Sequence, residues 1–156
     1  GHQIVVYDGS GIFSAPRVWW NFRLMGKENI AVLDGGLPKW RAEGRPITTE
    51  PPLIRDRHII VQRQAHLVKD VTEVANAAKL RGAEIIDARS VERFCGDAPE
   101  PRAGLRSGHI PNSKNLPWNN LLQADGTMKP VKELKALFVA AGVDLKKPLI
   151  TSCGSG

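Results

Sequence analysis

The sequence predicts an α/β fold in which helices flank a parallel sheet. Short β-branched runs alternate with amphipathic segments, and Gly or Pro marks the ends of those segments. A strand-to-loop turn also occurs twice, once at residues 5–11 (Val-Val-Tyr-Asp-Gly-Ser-Gly) and once at residues 150–156 (Ile-Thr-Ser-Cys-Gly-Ser-Gly). This faint repeat suggests two copies of one α/β unit, with Asp8 in the first where the second has Cys153.

The first part of the chain predicts two strands and two helices. Residues 4–7 and 30–33 are short apolar runs typical of buried strands. Residues 15–25 predict a helix, because a proline lies in its first turn and a glycine follows its end. A shorter helix is predicted around residues 37–42.

A change of composition then predicts an interdomain linker over residues 46–68. Three prolines and the charged triplet Arg55-Asp56-Arg57 interrupt this stretch. Within it, the β-branched residues 59–61 could form a strand at the edge of a neighbouring sheet.

Regular structure is predicted to resume at Asp70. Glu73 follows three residues later, as in a capping box, so a helix is expected to run to about Leu80. Residues 84–87 predict a strand. Residues 90–128 are rich in Gly, Pro, Asn and Arg and show little periodicity, and irregular stretches of this length are usually functional.

The chain ends with a candidate nucleophile. A helix is predicted over residues 131–141, and residues 148–150 predict a buried strand that leads into Cys153. In open α/β sheets, ligands bind beyond the carboxyl ends of the strands. The small residues after Cys153 allow backbone N–H groups to turn towards it and stabilise the thiolate, which is the nucleophilic form.

Composition narrows the possible functions. The net charge is +6, yet no block of five like charges occurs, so an ordinary solvated surface is favoured over a site for anionic partners. The sequence contains no basic stripe with interleaved aromatics, the pattern that would predict nucleic-acid binding. It also contains no apolar run that approaches the ~20 residues that span a membrane. Two cysteines make no disulfide framework, which favours a reducing, cytoplasmic compartment. The four histidines lack metal-ligand spacing, and no metal or cofactor is expected.

Several motifs in order resemble the signature of the rhodanese superfamily. In the second part of the chain they are Asp87-Ala88-Arg89, Glu92-Arg93-Phe94, Gly108-His109-Ile110-Pro111 and Asn115-Leu116-Pro117. Residues 14–20 and 34–40 are similar to the non-catalytic first domain of the two-domain members. The final Cys-Gly-Ser-Gly resembles the active-site loop of the 3-mercaptopyruvate sulfurtransferases in that superfamily.

The resemblance implies a rhodanese-like parallel sheet and parts of two tandem domains. Residues 1–45 would be the second half of a non-catalytic domain and residues 46–68 the linker. Residues 69–156 would be the first part of the catalytic domain. Since the family's chains extend further at both ends, we expect that a chain of only 156 residues would fold poorly and be nearly inactive, whereas its parent would be active.

The resemblance also implies a mechanism and a set of site residues. Cys153 would take sulfur from 3-mercaptopyruvate as a persulfide and pass it to cyanide or to a thiol acceptor such as thioredoxin. Arg93 and Arg102 match the two substrate-binding arginines, whose planar guanidinium groups suit a carboxylate beside a ketone. Three loop residues complete the predicted site, with Ser155 assisting proton movement and the backbone binding substrate at Gly154 and Gly156.

Other polar residues are expected to support the site. Asp87 and Arg89 would fix the loop after their strand, and His109 would hydrogen-bond to the backbone nearby. Asn112 departs from the family pattern, which usually has glycine at this position.

Three alternative functions remain open from the sequence. A thiosulfate sulfurtransferase is close, although such enzymes usually carry basic residues inside the cysteine loop, where this chain has none. A non-catalytic rhodanese-like module that binds sulfur carriers is disfavoured by the presence of Cys153. A rhodanese-fold phosphatase, whose related cysteine loop ends in arginine, is disfavoured by the two-domain motifs.

Overall fold

The computed structural model describes residues 2–56 and 58–154, and all of its strand pairing is parallel. The strands are β1 (Ile4–Val6), β2 (Ile30–Val32), β3 (Glu84–Asp87), β4 (Lys114–Asn115) and β5 (Leu149–Ser152). The α-helices are α1 (Ala15–Leu24), α2 (Gly36–Ala42), α3 (Val71–Leu80), α4 (Val91–Cys95) and α5 (Val131–Ala140). The predicted α/β class with a parallel sheet is therefore confirmed.

The chain divides into two compact units. The first contains residues 1–68 together with 123–128, and the second contains residues 69–122 and 129–156. Each unit has its own parallel sheet, in the order β1-β2 in the first and β4-β3-β5 in the second. The domain bounds 1–45, 46–68 and 69–156 stay a prediction.

In the first unit, the stretch after α2 returns to the end of α1. The backbone N–H groups of Gln62 and Gln64 donate to the carbonyl oxygens of Met25 and Leu24, at 3.0 and 2.7 Å. The strand expected at residues 59–61 is wrong: these residues form no strand and their side chains are exposed. Branching at Cβ favours an extended backbone, but a strand also needs a partner with matching hydrogen bonds.

In the second unit, β3 is the central strand, and all four of its residues are buried. Ile86 packs with Leu116 and Val143, and partly buried residues of α5 cover this cluster. A central parallel strand is shielded on both faces, which explains the continuous run of buried residues. The same packing fixes the carboxyl end of β3, where the candidate site lies.

Each end of α3 has hydrogen bonds to side chains. Asp70 accepts from the backbone N–H of Glu73 at 2.8 Å, and Glu73 accepts from the backbone N–H of Asp70 at 3.1 Å, so the predicted capping box is present. At the other end, the side-chain amide of Asn112 donates to the carbonyl oxygen of Ala78 at 2.9 Å. Asn112 has a φ of 62°, which asparagine tolerates better than most residues and glycine tolerates freely. This conformation explains why asparagine can stand at a position where the resemblance predicts glycine.

Two short elements in the predicted irregular stretch 90–128 were not expected. Helix α4 has five residues and β4 has two, which is too short for either periodicity to show in the sequence. Within the part of the chain that the structure describes, every helix is too short or too polar to cross a membrane.

Candidate active site

Cys153 lies where the carboxyl ends of the central strands meet. Strand β5 pairs with β3 so that Ser152 stands opposite Asp87, and the backbone N–H of Ala88 donates to the carbonyl oxygen of Ser152 at 2.9 Å. This register places Cys153 one residue beyond β5, beside the turn that follows β3. Its side chain is exposed, as a nucleophile that meets a diffusing substrate must be.

The turn after β3 is fixed by an ion pair between Asp87 and Arg89. Asp87 is almost completely buried, and its carboxylate accepts from Arg89 Nε at 3.0 Å and from Nη2 at 2.6 Å. Arg89 Nη2 also donates to the carbonyl oxygen of Gly108 at 2.7 Å. Hydrogen bonding to Asp87 is the main reason that the pKa of Arg89 is raised, so its charge is permanent. The geometry matches the structural role expected for this pair.

Arg93 lies directly against the loop that contains Cys153. Its guanidinium group is so close to Gly154 that a Cβ at this position would overlap it. Arg93 also forms an ion pair with Glu100, which raises the pKa of Arg93 through a side-chain hydrogen bond. Of the two predicted arginines, Arg93 is thus the one seen against the cysteine loop, and any side chain at position 154 would have to displace its guanidinium.

An open cleft of about 1080 Å³ runs past Cys153 and lies entirely within the second unit. It is bordered on one side by α3 and on the other by residues 105–112. The polar residues that line it near the cysteine are Asp87, Arg89, Glu100, Arg106, Ser107, His109, Ser152 and Cys153. A cleft of this size can hold a small molecule.

His109 supports the wall of this cleft. Its Nδ1 lies 2.8 Å from the carbonyl oxygen of Phe94, and its ring stacks on the Phe94 ring at 3.8 Å. The expected contact of His109 with a backbone group near the site is therefore present.

Three predicted site residues remain, of which the structure describes only Arg102. Arg102 is exposed in the loop after α4, and neither Arg102 nor Arg93 is among the residues that line the cleft. Ser155 and Gly156 lie outside the described residues. The roles predicted for these three residues stay predictions.

Sequence reasoning missed Glu100 and Arg106. Glu100 pairs with two arginines, and Arg106 lines the cleft. A single acid between two prolines gives no periodic or motif signal of its pairing. Arg106 lies three residues before the matched His109, so its closeness to a motif was the available hint.

The first unit has a corresponding turn, with Asp8 after β1. One carboxylate oxygen of Asp8 accepts from the backbone N–H groups of Phe13, Ser14 and Ala15 at 2.8, 2.9 and 3.0 Å. The other accepts from Ser10 N–H at 2.8 Å. We call these four N–H groups the Asp8 cradle.

The Asp8 cradle changes the acidity of the residue that it surrounds. Desolvation by itself raises the pKa of Asp8, but the four hydrogen bonds outweigh that effect, and the net result is a lowered pKa. A loop of this kind therefore stabilises a negative charge at the end of a parallel strand.

No three His, Cys, Asp or Glu side chains in the described part of the chain are grouped so as to hold a metal ion.

A parallel α/β sheet with an exposed cysteine one residue beyond a strand, and an arginine side chain against the loop of that cysteine, is the arrangement expected of a rhodanese-type fold. Comparison with known families agrees with this fold. The chain belongs to the rhodanese-like domain family, whose model matches residues 1–43 and 70–156.

Relatives of two related kinds resemble the chain over 99% of its length. It is 39% identical to 3-mercaptopyruvate sulfurtransferase of Rattus norvegicus, of which it covers 52%. It is 42% identical to thiosulfate sulfurtransferase of Bos taurus, of which it covers 53%. The crystal structure of the 3-mercaptopyruvate sulfotransferase SseA from Escherichia coli matches with a TM-score of 0.86 at 37% identity, over 99% of this chain and 57% of that one. The chain thus spans about half the length of these relatives.

Proposed function

We propose that this chain contains the nucleophile of a sulfurtransferase that moves sulfur from 3-mercaptopyruvate to a thiol or to cyanide through a persulfide on Cys153. The observation that supports this most strongly is the position of Cys153. It is exposed at the carboxyl end of β5, and the neighbouring Gly154 contacts the guanidinium of Arg93.

The proposed reaction has two half-reactions. The Cys153 thiolate attacks the sulfur of 3-mercaptopyruvate, so that an S–S bond forms and the C–S bond breaks. The electron pair of that bond leaves with pyruvate as its enolate, which takes up the proton of the donor thiol. An acceptor thiolate or cyanide then attacks the outer persulfide sulfur, and the Cys153 thiolate is regenerated.

The cationic groups would bind the donor's carboxylate and ketone. Arg93 is the first candidate because its side chain, from α4, lies against the cysteine loop, and Arg102 is the second because it matches the family motif. Ser155 would move a proton near the thiol, and the backbone at Gly154 and Gly156 would contact substrate. A thiol protein such as thioredoxin is the class of acceptor that we propose, and a cytoplasmic location suits two reduced cysteines.

We also propose the domain organisation that underlies this activity. Residues 1–45 belong to a non-catalytic rhodanese domain, residues 46–68 to the linker, and residues 69–156 to the catalytic domain. The two units are copies of one ancestral unit. The separate parallel sheets and the similar positions of Asp8 and Cys153 after β1 and β5 support this proposal.

Thiosulfate transfer is the second candidate function, because the bovine relative with that activity in its name is as similar as the mercaptopyruvate relatives. Thiosulfate carries two negative charges, and the Gly, Ser and Gly that follow Cys153 provide no cation to bind the second one. These residues therefore favour mercaptopyruvate as the donor. The test is to measure kcat/KM for both donors on the natural full-length protein. Higher kcat/KM with 3-mercaptopyruvate is expected, whereas higher kcat/KM with thiosulfate would reverse the assignment.

Substituting Arg102 tests its predicted role. Arg102→Ala is expected to raise KM for 3-mercaptopyruvate about tenfold with a smaller change in kcat, as expected for loss of one charge-assisted contact. Arg63→Ala, which removes a charge in the first unit, is the matched control. An unchanged KM in Arg102→Ala would remove this residue from the site.

A further inference from the structure

Glu100 joins two arginines that have different partners. Its Oε1 accepts from Arg89 Nη1 at 2.7 Å and from Arg93 Nε at 3.2 Å, and its Oε2 accepts from Arg93 Nη2. Only 3% of the Glu100 side chain is exposed, although the residue belongs to an irregular loop. A buried carboxylate that satisfies two guanidinium groups holds both in one geometry.

These contacts form a continuous chain from the central strand to the cysteine loop. Asp87 at the end of β3 binds Arg89, Arg89 binds Glu100, and Glu100 binds Arg93. Arg93 in turn lies against Gly154, the residue after Cys153. The orientation of the guanidinium beside the nucleophile is thereby linked to the most rigid part of the sheet.

The geometry around Arg93 shows which part of its guanidinium remains for a ligand. Glu100 takes Nε and one N–H of Nη2, on one edge of the plane. The Arg93 atom nearest to Gly154 is Nη2, the same nitrogen that donates to Glu100, whereas Nη1 is not used by Glu100. Glu100 therefore fixes which edge of Arg93 faces the cysteine loop.

The two carboxylates also balance the two arginines in charge. Asp87 and Glu100 against Arg89 and Arg93 give a net charge of zero, so this cluster attracts an anion by its orientation rather than by excess charge. Glu100 has two conceivable roles, which are to position Arg93 or to compensate charge. Removing its charge should weaken anion binding under the first role and strengthen it under the second.

We propose that Glu100 is a positioning residue that acts through Arg93, by holding the Nη edge of the guanidinium where it binds the anionic end of the sulfur donor. The proposal rests on the sulfurtransferase function proposed for Cys153. Glu100 itself does not touch the donor. A residue that only compensated charge would weaken anion binding, and its neutralisation would strengthen that binding.

The main test compares Glu100→Gln with wild type in the natural full-length protein. The substitution adds one net positive charge to the cluster but turns one acceptor into a donor, which releases one arginine. Positioning predicts that KM for 3-mercaptopyruvate rises about tenfold while kcat changes less. A fall in KM, or no change, would overturn the proposal.

Glu84→Gln is the matched control. Glu84 is another buried carboxylate that pairs with two cations, Lys114 and Lys147, but it lies at the opposite end of β3. We expect this variant to lose stability without a change in KM. An equal rise in KM in Glu84→Gln would mean that Glu100 has only a structural role.

Two further variants keep the test decisive if Glu100→Gln does not fold. Glu100→Asp keeps the charge but is too short to reach both arginines, and Gly154→Ala displaces the Arg93 guanidinium with every charge intact. Both are expected to raise KM.

A double-mutant comparison tests whether the effect of Glu100 passes through Arg93. In an Arg93→Ala background, the Glu100 substitution is expected to change KM less than about twofold, because the residue that transmits its effect is missing. An undiminished effect there would contradict the proposal.

Persulfide formation separates this proposal from the one on which it rests. If the wild-type protein forms no persulfide on Cys153, the sulfurtransferase function fails. If the persulfide forms and KM is insensitive to Glu100, the positioning role alone fails.

Discussion

Asp8 and Cys153 each follow a parallel strand, but they present opposite chemistry to the loops around them. Asp8 carries its own negative charge, and four backbone N–H groups already bind its carboxylate. Cys153 is an exposed thiol beside an open cleft. The guanidinium of Arg93, a residue of α4, lies against Gly154, the next residue of the cysteine loop.

The difference teaches how one turn can serve stability or catalysis. An anion that belongs to the chain fills its binding site permanently and fixes the start of α1. Under the function that we propose, Cys153 gains charge only when its thiol ionises, and a loop that favours anions would favour this nucleophilic form.

Close packing also distinguishes the two loops. Gly36, with a φ of 57°, lies so near the loop of Asp8 that a Cβ would be only 2.8 Å from the Asp8 carbonyl oxygen. At Gly154 the close neighbour is the end of a flexible arginine side chain. The first loop is held by backbone, and the second by a side chain that can also bind a ligand.

The largest expected effect removes the nucleophile. Cys153→Ser should lower sulfur transfer by on the order of 10⁴-fold or more, because a serine hydroxyl neither ionises nor accepts sulfur near neutral pH. Steady-state turnover with 3-mercaptopyruvate measures this effect. Cys95→Ser is the control, since Cys95 is exposed and does not line the cleft. Turnover by Cys153→Ser close to that of wild type would contradict the nucleophilic role proposed for Cys153, and with it the contrast drawn between the two loops.

A smaller effect is expected when the Asp8 cradle loses its anion. Asp8→Ala should cost about 1–2 kcal/mol of local stability, because the first N–H groups of α1 lose their acceptor. Faster hydrogen exchange at Phe13, Ser14 and Ala15 is the measurement. Asp8→Asn keeps one oxygen and should lose less. Equal exchange rates in all three proteins would show that the cradle contributes nothing.

The smallest effect is a pH dependence in the same unit. The pKa of Asp8 is lowered in the folded state, so its stabilising contribution is fully present above the unfolded value of about 4 and is lost as the pH falls through the folded value. The difference in unfolding free energy between wild type and Asp8→Asn should therefore shrink below about pH 4. Denaturation followed by tryptophan fluorescence measures it, and a difference that grows on acidification would contradict the account.

Local signals in the sequence were sufficient for much of the fold. The capping box at Asp70 and Glu73 located α3, and the Gly and Pro boundaries located α1 and α5, because caps and breakers act on neighbouring residues. Short motifs in a fixed order likewise indicated Cys153 and Arg93, whose roles stay predictions. These features depend on residues only a few positions apart.

The missing features depend on contacts between distant residues. Strand β4 forms because Lys114 and Asn115 pair with the end of β3. Among the residues that the structure describes, no strand pairs with residues 59–61, and these residues form no strand. Glu100 meets Arg89 across 11 positions of chain, through a loop without periodicity. No local pattern encodes these pairings, so the charge network at the site is visible only in three dimensions.

The most direct test of the central claim is to locate the sulfur after one exposure to 3-mercaptopyruvate without acceptor. Mass spectrometry of the natural full-length protein and its peptides should find a gain of about 32 Da, one sulfur atom, on the peptide that contains Cys153. The gain should be absent in Cys153→Ser and retained in Cys95→Ser. An adduct that persists in Cys153→Ser, or one that is found on Cys95, would contradict the account.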